Sequence, residues 1–134
     1  MTNQGLTECP FCDPAVWQRE SIGIDNELCV FLTRPQPILV GSGLIVTRRH
    51  CATVFEMTSA EWQACYDLLQ RVRTHLDATL QPQGYNVGWN SGAVGGQEVF
   101  HVHLHVIPRF ADEPLAGRGI RHWLKQETNR RPSG

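Results

Sequence analysis

The chain has 134 residues, 41% hydrophobic and 19% charged, with a net charge of −1. That length suits one domain around a single core, and the composition excludes an intrinsically disordered chain. No apolar run approaches the roughly 18 residues of a membrane span, the polar start Met1-Thr2-Asn3-Gln4-Gly5 lacks a signal-peptide pattern, and near-neutral charge gives nucleic acid no general attraction. A cytoplasmic protein with no membrane or nucleic-acid partner is the expectation, and an odd count of five cysteines agrees with a reducing compartment.

The first motif is Cys9-Pro10-Phe11-Cys12. A C-x-x-C pair is half of a zinc site, a redox pair or a coincidence of spacing. Redox pairs of this kind follow a strand and open a helix, whereas this one lies near the N-terminus with Pro10 directly after the first cysteine. Zinc needs two more ligands to complete a tetrahedron. No second C-x-x-C exists, so histidines must supply them, and His50 and His101 are the candidates.

Residues 20–24 and 28–32 read as two strands joined at Asp25-Asn26-Glu27, with Cys29 a small core residue. Pro35 and Pro37 mark a loop, and Gly43–Thr47 reads as a third strand. Thr58 with Glu61 forms a capping-box pattern that opens the longest helix. Its apolar stripe is Trp62, Cys65, Leu69, Val72, Leu76 and Leu80, and Pro82 and Gly84 end it. Residues 85–90 form a fourth strand and 91–96 a glycine-rich loop. There the glycines would let backbone N–H groups approach a phosphate, while Asn90, Ser91 and Gln97 offer neutral hydrogen bonds.

Residues 100–107 alternate strictly, with His101, His103 and His105 separated by Val102 and Leu104 and followed by Val106. Period two is the signature of a strand, which places the three imidazoles on one face, roughly 6.6 Å apart, and the aliphatics on the other. Such a face supports a metal site, a nucleophilic imidazole with supporting donors, or a division between the two. Residues 119–128 read as a short terminal helix. The tail from 117 sets Arg118, Arg121, Lys125, Arg130 and Arg131 against Glu127 alone, which reads first as a solvated terminus and otherwise as contact with an anionic substrate. The chain is expected to be one domain over 1–134, with 1–8 and about 117–134 peripheral. The fold class is α+β, an antiparallel sheet of about five strands with one long helix and a short terminal one.

The run Gly96-Gln97-Glu98-Val99-Phe100-His101-Val102-His103-Leu104-His105-Val106-Ile107-Pro108-Arg109 resembles the signature of the histidine-triad (HIT) superfamily of nucleotide hydrolases and transferases. The order of elements from Cys9 to Arg109 is similar to that of its zinc-bearing bacterial branch. The resemblance implies a HIT-like fold in which His103 attacks the α-phosphate of a nucleotide to give a covalent nucleotidyl-histidine. His105 would then hydrogen-bond the phosphate or leaving group and help move a proton. Gln97, Asn90, Ser91 and Gly96 would contact substrate. A structural zinc ion would be held by Cys9, Cys12, His50 and His101, and the chain would form a homodimer through its long helix and an adjoining strand. Dinucleoside polyphosphates and nucleoside phosphoramidates are the implied substrates.

The sequence departs from the family pattern where Ser42 replaces an upstream histidine, Thr47 replaces a proline, and Arg34 lies near the usual place of a ribose-binding acid. Those departures keep two alternatives open: a non-catalytic nucleotide-binding module, and a metallohydrolase that uses the triad as zinc ligands.

Overall fold

The structure is a computed structural model and describes residues 9–133, so the expectation for residues 1–8 lies outside the described residues. Its strands are β1 (Ser21–Asp25), β2 (Cys29–Thr33), β3 (Gly43–Thr47), β4 (Gly84–Trp89) and β5 (His103–Arg109). They form one antiparallel sheet in the order β1-β2-β3-β5-β4. The three N-terminal strands pair as consecutive neighbours. A long helix, α2 (Ser59–Thr79), then carries the chain to β4 at the far edge, and β5 returns between β3 and β4. The expected α+β architecture is present.

Register decides what each face holds. Val46 pairs with His103, Leu44 with His105, Ile45 with Leu104, and Gly43 with Val106. Because side chains alternate along a strand, Cys29, Phe31, Ile45, Leu104 and Val106 share one face. They pack against Cys65, Leu68, Val72 and Leu76 of α2 to make the main core. The opposite face carries Val30, Leu32 and Val46, which meet Cys9, Phe11 and Val16 from the N-terminal knot in a second cluster. His103 and His105 lie on this second face. Gly43 is obligatory where Phe31 crosses it, since a Cβ there would fall 2.5 Å from the ring.

The helix begins as its capping box predicts: the Thr58 side chain accepts from the Glu61 amide, and the Glu61 carboxylate accepts from the Thr58 amide. Its buried stripe lies slightly round from the expected one, with Leu68 wholly buried and Leu69 only partly so. Trp62 is half exposed and stacks on Trp89 of β4, with ring centroids 5.1 Å apart. A shorter helix, α1 (Pro14–Glu20), was not expected. Its signal is Asp13-Pro14: the Asp13 carboxylate caps the Ala15 amide at 2.9 Å, and proline tolerates the first helical position.

Two expectations need correction. Residues 100–102 precede β5 rather than belong to it, because β3 pairs with β5 no further than Val46↔His103. Beyond that point the Val102 amide donates to Cys51 O at 2.7 Å instead. The expected helix over 119–128 is a series of turns closed by a 3-10 turn at Glu127–Asn129. Ile120, Trp123 and Leu124 each stay more than 60% exposed, so no buried apolar stripe supports a helix, and a segment this short does not hold one unaided.

Arg49 fastens the end of β3 to α2, its guanidinium reaching both Glu61 oxygens at 2.7 and 2.8 Å and Glu56 O at 2.9 Å. The Glu61 side chain is almost fully buried while that of Arg49 is half exposed. The guanidinium hydrogen bonds hold the Glu61 carboxyl below its ordinary value. Arg49→Ala leaves that carboxylate buried without its cation and should cost about 1–2 kcal/mol at pH 7, after discounting for the exposed half of the pair. Because the folded-state value is depressed, this stabilisation is present above the unfolded value of 4.5 and is lost as pH falls through the folded one. Urea unfolding of wild type and variant at neutral pH and at successively more acid values should show their gap closing.

Candidate active site and metal centre

The N-terminal knot is a 3-10 turn, Pro10–Cys12, which points Cys9 and Cys12 toward the chain just before β5. Cys9 Sγ lies 3.4 Å from His101 Nδ1, Cys12 Sγ is 3.4 Å from the same nitrogen, and Cys12 Sγ is 3.1 Å from His50 Nδ1. The four ligand atoms lie within 4.8 Å of one another, the spacing required around a small tetrahedral ion with bonds of about 2.0–2.3 Å. This is the ligand set expected from the sequence, and it can bind a metal ion.

The protonation chemistry of the four residues suits a cation. The His101 ring is completely buried, and its Nε2–H donates to Thr47 O at 2.7 Å. That bond fixes the tautomer and leaves the Nδ1 lone pair facing the cysteines. Burial pushes the His101 value down to about 4, so the ring stays neutral. Burial, reinforced by the neighbouring Cys9, pushes the Cys12 thiol up to about 11. Two adjacent thiols resist losing both protons unless positive charge is supplied, which a divalent ion does.

His103 begins β5 and has a different role. Its Nδ1–H donates to the carbonyl of His101 at 2.8 Å, leaving Nε2 with a free lone pair. The ring retains 9% exposure and packs edge-on against Phe11, with centroids 5.3 Å apart. Its neighbour His105, 5.0 Å away between centroids, is partly exposed. Burial, then the proximity of His103, holds the His105 value below the ordinary one. The single face of three imidazoles is therefore divided: only the first joins the metal-ligating cluster, which argues against zinc coordination by the whole triad.

His105 lies between two clefts. One, about 220 Å³, runs toward Ser42, Arg34 and Glu20, with Phe11 and Leu32 at its base. Arg34 donates to Glu20 at 2.9 Å on its wall, so an acidic group does stand beside the position where the sequence offered only Arg34. The other, about 240 Å³, is bounded by Asn86, Gly88, Asn90 and Ile120. Asn90 thus shares a cleft with His105.

The rest of the glycine-rich loop does not form the expected phosphate cradle. The amides of Gly95, Gly96 and Gln97 donate to carbonyls within the loop, and the Gly92 amide donates to Gln97 Oε1 at 2.8 Å. Gln97 is buried, and its Nε2 donates to Ala52 O and Val99 O. Both polar atoms of that side chain have protein partners, in the loop at Gly92 and outside it at Ala52 and Val99, so Gln97 ties the loop to the approach to the triad and lines neither cleft. Ser91 and Gly96 line neither cleft.

Arg109, at the end of β5, carries more structure than its position in the motif suggested. Its guanidinium donates to Glu113, to Asn86 Oδ1, to Arg118 O at 2.8 Å and to Leu115 O at 2.9 Å. It thereby pins the segment after the triad strand to the sheet.

A family profile described as "HIT domain" matches residues 18–112. An uncharacterized HIT-like protein of Mycoplasma genitalium is 30% identical over 132 residues, covering 98% of this chain and 90% of that protein. The adenosine 5′-monophosphoramidase of Schizosaccharomyces pombe is 34% identical over 83 residues, 62% of this chain and 59% of that one. Among solved structures, a Zn-bound histidine triad family protein from Mycobacterium smegmatis superposes with a TM-score of 0.69 at 26% identity, covering 86% of this chain and 84% of that chain.

The purified protein should carry one tightly held metal ion per chain by elemental analysis. Cys9→Ser should retain under about a tenth of it and melt at lower temperature, because a closed four-ligand site loses most of its affinity with one thiolate. A Cys9→Ser protein that keeps both its metal and its melting temperature would remove the metal from this site.

Proposed function

The chain belongs to the HIT domain family, and on that footing we propose that it is a nucleotide hydrolase or nucleotidyl transferase acting at an α-phosphate through a covalent intermediate on His103. The observation that carries the proposal is the 2.8 Å bond from His103 Nδ1–H to His101 O. A carbonyl can only accept, so a proton sits on Nδ1, and the lone pair of the neutral ring lies on Nε2, where it can attack.

In the first step, His103 Nε2 forms a bond to the α-phosphorus as the phosphorus–oxygen or phosphorus–nitrogen bond to the leaving group breaks. The leaving group departs with the electron pair and takes up a proton, for which partly exposed His105, 5.0 Å from His103, is the relay. In the second step, water attacks phosphorus and gives up a proton to the His105 relay, replacing the one spent on the leaving group, while the nitrogen–phosphorus bond breaks with its electrons returning to Nε2 and the nucleotide leaves. An acceptor other than water would give nucleotidyl transfer. The cleft toward Ser42 and Glu20 is assigned to the nucleoside, with the Glu20 carboxylate placed to accept from ribose hydroxyls. Asn90 is assigned to the cleft beyond His105.

Cys9, Cys12, His50 and His101 would hold a zinc ion, and four protein ligands make a set of the structural kind, which would not activate water. Their contribution is positional: they tie the knot, and with it Phe11, to the residue two places before the nucleophile.

The active form is assigned as a homodimer. β4 is a sheet edge, Trp62 stacks on its Trp89, and Trp62, Tyr66 and Val87 are 51%, 53% and 37% exposed. Exposed apolar side chains and an open strand edge favour pairing with a second copy.

Intact-protein mass after a rapid, promptly neutralised acid quench tests the chemistry. With excess diadenosine polyphosphate or adenosine phosphoramidate, wild type should show a nucleotidyl adduct and His103→Gln none, with turnover reduced by a factor of about a thousand or more. Binding of AMP with neither adduct nor turnover would favour a non-catalytic nucleotide-binding module.

A further inference from the structure

The segment after Pro114 does not trail into solvent. Arg109 binds the carbonyls of Leu115 and Arg118, and Ile120 lies over Gly88, the β4 residue paired with His105. A Cβ placed on Gly88 would stand 3.8 Å from Ile120 Cδ1. The C-terminal turns therefore cover the β4 side of the same sheet face that carries His103 and His105.

Beyond Ile120 the covering segment forms a further cleft of about 360 Å³ lined by Arg118, Arg121, His122 and Lys125. Asn86 and Ile120 line both this cleft and the one containing His105, so the two share a wall. Among the described residues, Arg118, Arg121 and Lys125 have no carboxylate within ion-pair distance. The acids nearest in sequence, Glu113 and Glu127, are already paired with Arg109 and Arg130. Three unpaired cations in an otherwise slightly acidic chain, converging at the outlet of a site that breaks a phosphorus bond, are placed to meet the charge of the departing group.

We propose that Arg118, Arg121 and Lys125 form a leaving-group subsite for a polyphosphate chain, which makes dinucleoside polyphosphates the favoured substrates over nucleoside phosphoramidates. This inference rests on the function proposed above. A polyphosphate leaving group carries several negative charges into the cationic cleft, where its oxygens replace water around exposed guanidinium and ammonium groups. An amine leaving group offers those cations nothing. Selectivity then arises at residues remote from the nucleophile, and its strength falls with ionic strength because the cations remain exposed.

The test compares kcat/KM for diadenosine tetraphosphate with that for adenosine 5′-phosphoramidate. The enzymes are wild type, the triple variant Arg118→Ala/Arg121→Ala/Lys125→Ala, and the charge-preserving Arg118→Lys/Arg121→Lys. The polyphosphate-to-phosphoramidate ratio should fall about tenfold in the triple variant, as expected when three exposed ion pairs each contribute a factor of about two. It should stay within about twofold of wild type in the lysine variant, since a point charge suffices. An unchanged ratio in the triple variant, or an equal fall in the lysine variant, would overturn the subsite. If wild type turns over neither substrate, the hydrolytic reading fails but the subsite is still decided by calorimetric titration with inorganic tripolyphosphate. Weaker binding by the triple variant would uphold it, and equal binding would overturn it.

Discussion

His101 is the pivot on which the site turns. Its ring nitrogen donates to the Thr47 carbonyl, which directs the other nitrogen to the cysteines, and its own carbonyl accepts from His103. One residue thus sets the tautomer of two imidazoles through main-chain acceptors, whose charge does not vary with pH. Complete burial keeps the His101 ring neutral and removes the competing water that would otherwise loosen both bonds. Displacing the 9–12 knot or the end of β3 therefore disturbs the His103 ring without touching it.

The alternation through the triad and the C-x-x-C pair made much of this site legible before any coordinates. Period two correctly separated imidazoles from core aliphatics, and ligand arithmetic correctly paired His50 and His101 with the cysteines. These inferences succeed because they depend on local geometry and on ligand number, both of which a sequence displays. The capping box at Thr58 belongs to the same class: a few adjacent residues carry the whole signal.

What was not legible depended on long-range pairing. Glycines in the loop after β4 promise exposed amides, but whether those amides face a ligand or one another is decided by Gln97 reaching Ala52, 45 positions earlier in the chain. A buried glutamine and a substrate-binding glutamine look identical in sequence. Likewise the expected helix over 119–128 is missing because Ile120, Trp123 and Leu124 remain largely exposed and bury too little to hold one. The acid beside Arg34 was hidden for the same reason, since Glu20 reaches that cleft only through the unanticipated helix α1.

Arg109 holds the C-terminal segment by main-chain carbonyls, those of Leu115 and Arg118, and by the side chains of Glu113 and Asn86. A carbonyl is the same acceptor whatever residue bears it. Side chains between 115 and 125 other than Ile120 can consequently change while those carbonyl bonds persist. The fold separates a fixed chassis around the triad from an interchangeable visor, so the outer cleft can drift, or be redesigned, without disturbing the hydrogen bonds of the triad itself.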